Sequence, residues 1–220
     1  MSLTDSQIRE LCAKMSIPLA ENGILFKNEF EDYKLEPNKS YFVNLEDEYD
    51  EKGHLNSGSH WTCFQVRKYP NGKISAMYFD PFGVGPPQEI KDAVKRDFKV
   101  GLPYNTKDIQ SMMANACGWY CCAYLHFINV FPHRSGDIYQ DTENFLDFFD
   151  DLNKSIDFKK NEFILKQFFQ SGDPALRKEI DIIAPTEHIT DDRNGGIDAF
   201  DNDAGGIRLA VETKVIKPKN

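Results

Sequence analysis

Cys117, His60, Asp80 and Gln110 are the side chains of this sequence that could carry acyl-transfer chemistry together. A thiol attacks a carbonyl as its thiolate, so it needs a base, most often a histidine. That base needs a group to orient it, and the oxyanion that forms needs N–H donors. Cys117 begins the apolar run "CGWYCCAYLHFINV", whose composition predicts a buried helix. A helix N-terminus carries partial positive charge and lowers the pKa of a thiol placed there. Gly118 follows and would let a substrate backbone approach closely. His60 opens the run "HWTCFQVRKY", just past a Gly/Ser loop, and Asp80 closes "KISAMYFD". Gln110 precedes Cys117 on a loop, and its amide is a candidate oxyanion donor.

The elements that must position these groups are legible as patterns. The two runs bearing His60 and Asp80 are rich in β-formers and are joined across Pro70-Asn71-Gly72, a strong hairpin signal. A hairpin brings the start of one strand to the end of the next, so His60 and Asp80 are expected at one sheet edge. "SYFVNL" (Ser40–Leu45) predicts a further strand. "TDSQIRELCAKM" predicts a first helix, with Thr4 and Gln7 as a capping box. "PQEIKDAVKRDF" predicts another, and two amphipathic stretches are expected near Asn144–Leu152 and Lys160–Phe169. The pattern is that of an α+β fold, with an antiparallel sheet flanked by helices.

Blander readings exist for each residue. Asp80 also suits the Asp-Pro turn in which it stands. Cys117, Cys122 and His126 could ligate zinc, although no Cys-x2-Cys pair accompanies them. Cys12, Cys63, Cys121 and Cys122 read as core thiols. His54, His133 and His188 read as surface groups, and the phenylalanine-rich run from Phe145 to Phe169 as helix packing.

The wording around these residues resembles the adenovirus maturation protease (adenain) family. "HW" at a strand start, "FDPFG" after the next strand and "Q…ACGWYCCAYLHF" occur in that family's order and at similar spacing, over roughly Lys39–Pro132. The proteases of virophages and polinton-type viruses are the nearer relatives implied, and the ubiquitin-like-protein proteases of eukaryotes the more distant ones. The resemblance implies a papain-like/ubiquitin-like-protease-type fold with a mixed or antiparallel sheet. It implies Cys117 as nucleophile, His60 as general base, Asp80 as its orienting acid, and Gln110 with the Cys117 N–H as the oxyanion hole. Trp61 would shelter His60 beside the substrate. The implied function is viral: cleavage of capsid precursors at Gly-containing sites during virion maturation, in the virion or at its assembly site. Adenain itself has Glu where this chain has Asp80. The alternatives are a ubiquitin-like-protein isopeptidase, an acetyltransferase using the same four residues, and a catalytically dead capsid-binding module.

Composition bounds the rest. The 220 residues are 40% hydrophobic and 13% aromatic, which is enough for a substantial core. The formal net charge of −9 argues against unassisted nucleic-acid binding, so DNA is not expected to be required for activity. No apolar run is long enough for a transmembrane helix, the polar opening "MSLTDSQIRE" does not read as a signal peptide, and five cysteines suit a reducing compartment. No cofactor and no metal are expected, and a monomer is. The domain reading is a protease domain over residues 1–171, then an acidic Gly/Asp-rich linker and basic tail over 172–220. That tail carries Gly195-Gly196-Ile197 and Gly205-Gly206-Ile207, and ends in the strand-like "IRLAVETKVIKPKN". A disordered tail or a tether to the capsid is the favoured reading; the alternative, by analogy with adenain's basic activating peptide, is that the tail pairs in cis with a sheet edge.

Overall fold

The computed structural model describes residues 3–111, 114–130, 135–154 and 158–170. The segment 172–220, with its glycine pairs and basic end, lies outside the described residues, as do His133 and His188.

Four strands form one sheet in the order β1 (Leu19–Phe26), β2 (Lys39–Asn44), β3 (Trp61–Lys68) and β4 (Ile74–Phe79). β2, β3 and β4 are antiparallel, as their sequence predicts, but β1 runs parallel to β2, so the sheet is mixed. The sequence gives no sign of β1. Its centre is Glu21-Asn22-Gly23, Asn22 has φ 53°, and the register shifts between Leu19 and Ile24. Only Ile24, Leu25 and Phe26 pair in regular succession with β2.

The hairpin between β3 and β4 closes as expected. Gly72 takes φ 83°, Gly72 N donates to Tyr69 O, and Asn71 Oδ1 accepts from Lys73 N. Cys63 pairs with Phe79, so the end of β4 lies beside the first residues of β3, with His60 just before β3 and Asp80 just after β4.

Both faces of the sheet are covered. On one, Phe42, Cys63, Met77 and Phe79 pack in a core shared with α1 (Asp5–Lys14) and α3 (Cys117–Val130). On the other, Tyr41, Phe64, Val66 and Tyr78 join Ile90 and Val94 of α2 (Gln88–Phe98) and Phe30 of the 3₁₀ turn Lys27–Glu31. α3 is apolar all round and accordingly central, touching β3, α1, α4 (Ile138–Leu146) and α5 (Phe158–Gln170). α1 carries the expected capping box: Gln7 N donates to Thr4 Oγ1 and Thr4 N to Gln7 Oε1.

The stretch expected near Asn144–Leu152 is displaced. The helix there begins at Ile138, capped by the Asp137 carboxylate accepting from Tyr139 N and Gln140 N, and it stops at Leu146. Asp150, Asp151 and Asn153 then favour turns over helix. α5 falls where the second stretch was expected. Phe145, Phe149 and Phe169 are buried in ring contacts with Phe79, Tyr124, Tyr120 and Trp119, so this part of the phenylalanine-rich run is core. Among the described residues, no helix is long and apolar enough to cross a membrane.

Candidate active site

Asp80 and His60 meet at the end of the hairpin. His60 Nε2 lies 2.8 Å from Asp80 Oδ1, and the carboxylate is almost fully buried. The same Oδ1 accepts from Phe82 N at 2.8 Å, and Gly83 N donates to Asp80 O. Asp80 therefore builds its Asp-Pro turn and holds the histidine at once. A carboxylate facing Nε2 favours the tautomer with its proton there, which leaves Nδ1 as the basic nitrogen for the thiol. Phe82 stacks on the imidazole, with ring centroids 4.6 Å apart and planes 27° apart.

Cys117 is the first residue of α3, and Trp61 N, at the start of β3, donates to its Sγ at 3.4 Å. Burial alone would push this thiol up. The hydrogen bond and charge of His60, with the Trp61 and Gly118 N–H groups, reverse that and hold it below the ordinary thiol value. Burial likewise pushes His60 down, but the hydrogen bonds and charges of Asp80 and Cys117 outweigh it and raise the ring to about 9. Each shift has the sign of a thiolate beside an imidazolium.

The pH dependence follows with its sign. The thiolate exists above the lowered Cys117 pKa, and the imidazolium exists below about pH 9. The ion pair occupies the window between them. Iodoacetamide alkylation of Cys117 is therefore expected to rise with pH at an inflexion below the ordinary thiol value, and His60→Ala should move that inflexion upward. An inflexion at the ordinary value that ignores His60→Ala would contradict the pairing. The other thiols interfere little: Cys12, Cys63, Cys121 and Cys122 are 0–1% exposed, against 4% for Cys117.

Gln110 is buried on the loop that leads towards α3. Its Nε2 donates to Ala114 O at 2.7 Å, while Oε1 has no partner among the described atoms. An amide nitrogen has two N–H bonds, so a second donor remains. The Gln110 main chain is tied to the acid's turn, since Ile109 N and Gln110 N both donate to Pro81 O. Trp61 follows His60 and reaches the start of α3 through its main-chain N–H, but its Nε1 is committed to Leu3 O at 2.8 Å. Gly118 faces the same residue: a Cβ there would meet Leu3 atoms at 3.1–3.4 Å. Leu3 thus occupies the space that the glycine leaves.

Among the described residues, no group of three or more His, Cys, Asp or Glu side chains is placed to hold a metal. Of the zinc candidates, His126 turns Nδ1 to Met15 O at 2.8 Å, and Cys122 lies against Cys12 inside the core.

No model of a known protein family matches the chain, and no curated protein matches it.

Sequence reasoning missed several supporting side chains. Phe82 lay inside the quoted motif without a role. Asn44, on the last position of β2, accepts from Ser59 N at 3.4 Å and from Glu46 N at 3.2 Å, fixing the approach to His60. Asn161 of α5 donates to Ile109 O, next to Gln110. Asn44 and Asn161 have no periodicity or motif that could have revealed them, whereas the Asp-Pro-Phe-Gly motif could have pointed to Phe82. Gly58 shows how tight the fit is. It has φ 83°, and a Cβ there would come within 2.0 Å of Asn44 Nδ2. Gly58→Ala is expected to cost about 2–4 kcal/mol, from left-handed strain plus displacement of the Asn44 amide and its part-buried hydrogen bonds. Urea unfolding measures it, and a change below 0.5 kcal/mol would show that the loop yields freely.

Proposed function

We propose that the chain is a cysteine endopeptidase of the papain-like/ubiquitin-like-protease type, which cleaves viral capsid precursors at Gly-containing sites during virion maturation. The observation that carries the catalytic reading is the alignment of Asp80, His60 and Cys117, with the thiol at a helix start and both pKa shifts in the sense of an ion pair. The resemblance of "HW", "DPFG" and "ACGWYCCAYLHF" to adenain-type proteases supports the viral substrate class.

In this mechanism the Cys117 thiolate attacks the scissile carbonyl, and a C–S bond forms. The oxyanion is met by the Cys117 N–H and the free N–H of Gln110. His60, as imidazolium, gives its proton to the leaving amine when the C–N bond breaks. It then takes a proton from water, which attacks the thioester and releases the acid. Asp80 keeps the ring oriented and its charge balanced throughout. Removing one oxyanion donor in Gln110→Ala should lower kcat by about 10²–10³. Steady-state kinetics would place Gln110 outside the site if the rate were unchanged.

The deciding experiment incubates the protein with capsid precursors and, separately, with ubiquitin-like precursors ending in Gly-Gly, with Cys117→Ala as control. Cleavage of the capsid precursors alone supports the reading. Cleavage of the ubiquitin-like precursors alone makes it an isopeptidase, and acyl-CoA labelling of Cys117 makes it a transferase. Inertness of Cys117 towards both iodoacetamide and a vinyl sulfone removes the enzymatic reading.

A further inference from the structure

Asp80 stands one residue beyond the end of β4, where regular strand pairing has stopped. Its main chain is nonetheless held on the side away from β3. Asn105, 3% exposed, accepts from Asp80 N through Oδ1 at 2.9 Å and donates through Nδ2 to Asp80 O at 2.7 Å. The same Nδ2 reaches Lys107 O at 3.2 Å. Two residues earlier, the 103–105 segment does this with its own backbone: Tyr78 N donates to Pro103 O, and Tyr78 forms a parallel bridge with Tyr104. Beyond Tyr104 the main chain leaves the sheet edge and the amide side chain takes its place. A side-chain amide offers a C=O acceptor and N–H donors side by side, so it can engage the N–H and C=O of one residue as a neighbouring strand would.

We infer that Asn105 is a positioning residue for Asp80, a side-chain substitute for a strand partner that fixes where the carboxylate meets His60. The inference rests on the peptidase reading of the site. Asp80 Oδ1 serves His60 Nε2 and Phe82 N together, both at 2.8 Å, so a small displacement of the Asp80 main chain loosens both contacts. Placement errors of that order are costly in a catalytic array. The side-chain hydrogen bonds of Asn105 go to Asp80 and Lys107 and not to His60 or the thiol, so its influence on Cys117 passes through Asp80.

That route makes the test a cycle. In the full chain, the rate of Cys117 alkylation by iodoacetamide is followed against pH for the wild type, Asn105→Ala, Asp80→Ala and the double variant. The charged groups that act on this readout are few: His60 faces the thiol, and Asp80 and Cys117 face His60. Asn105→Ala is expected to raise the inflexion and, at pH values below the wild-type inflexion, to slow alkylation about tenfold for one pKa unit of lost thiolate. On the Asp80→Ala background the same change should have no effect, because neighbours acting through one group are not additive. An equal loss on both backgrounds, or none on either, overturns the inference. If Asn105→Ala does not fold, Asn105→Ser is read in the same way. A wild-type inflexion at the ordinary thiol value sinks the peptidase reading itself. A lowered wild-type inflexion that ignores Asn105 sinks only the inference.

Discussion

Cys117→Ala is expected to abolish peptide cleavage, a loss of about 10⁶ in kcat, the scale seen when a nucleophile of this kind is removed. Alanine keeps the helix start and removes one sulfur, so the fold should survive at a cost of about 1 kcal/mol. What disappears is the sulfur whose pKa Trp61 N and His60 hold below the ordinary thiol value, and no neighbour can replace it. Cys121 is the nearest rival in sequence. It is fully buried, its Sγ donates to Trp61 O at 3.5 Å, and burial pushes its pKa well up, all of which make a thiol inert. Turnover of a capsid precursor by both variants, with circular dichroism to verify folding, checks this. If Cys121→Ala were dead and Cys117→Ala active, the nucleophile would be misassigned.

Asp80→Asn should lower kcat by about 10²–10⁴ without ending it, the upper figure being that of the corresponding change in a serine-type triad. Asparagine is nearly isosteric, so the Phe82 N contact and the Asn105 clasp can persist. The charge is lost, and the imidazolium that returns a proton to the leaving amine becomes harder to form. If the new amide turns its NH₂ to the ring, Nε2 must accept. The His60 proton then moves to Nδ1, the nitrogen needed by the thiol. The sign is therefore a slower rate together with a higher Cys117 alkylation inflexion. A variant slowed without a shift in the inflexion would mean that Asp80 acts on substrate and not on His60.

The parts of this molecule that were legible in its sequence are those written locally. The Pro70-Asn71-Gly72 turn and its flanking β-formers specify a hairpin, and a hairpin alone brings His60 and Asp80 to one edge. The unbroken apolar run after Ala116 specifies a buried helix with Cys117 at its start. Asp137 was an equally local signal, a capping residue before Ile138, and overlooking it moved the expected helix of 144–152 away from its place at Ile138–Leu146. β1 left no local trace because its pairing with β2, across a register break at Glu21-Asn22-Gly23, is made by tertiary packing and not by alternation.

The chemistry-bearing residue types, and the strand ends and helix start on which they stand, were thus determined by the sequence itself, because turns, caps and periodicity act over a few residues. The tertiary structure alone decided what surrounds them. It set Phe82 against His60, Leu3 against Trp61 and Gly118, Asn44 beside Ser59, and Asn105 behind Asp80. Apart from Phe82, these partners come from segments 15 to 115 residues away in the chain, the extremes being Asn44 with Ser59 and Leu3 with Gly118. They meet through side-chain amides and main-chain carbonyls, groups that any residue's neighbours could offer. A hydrogen bond of that kind has no period and no composition, so it exists only once the chain has folded.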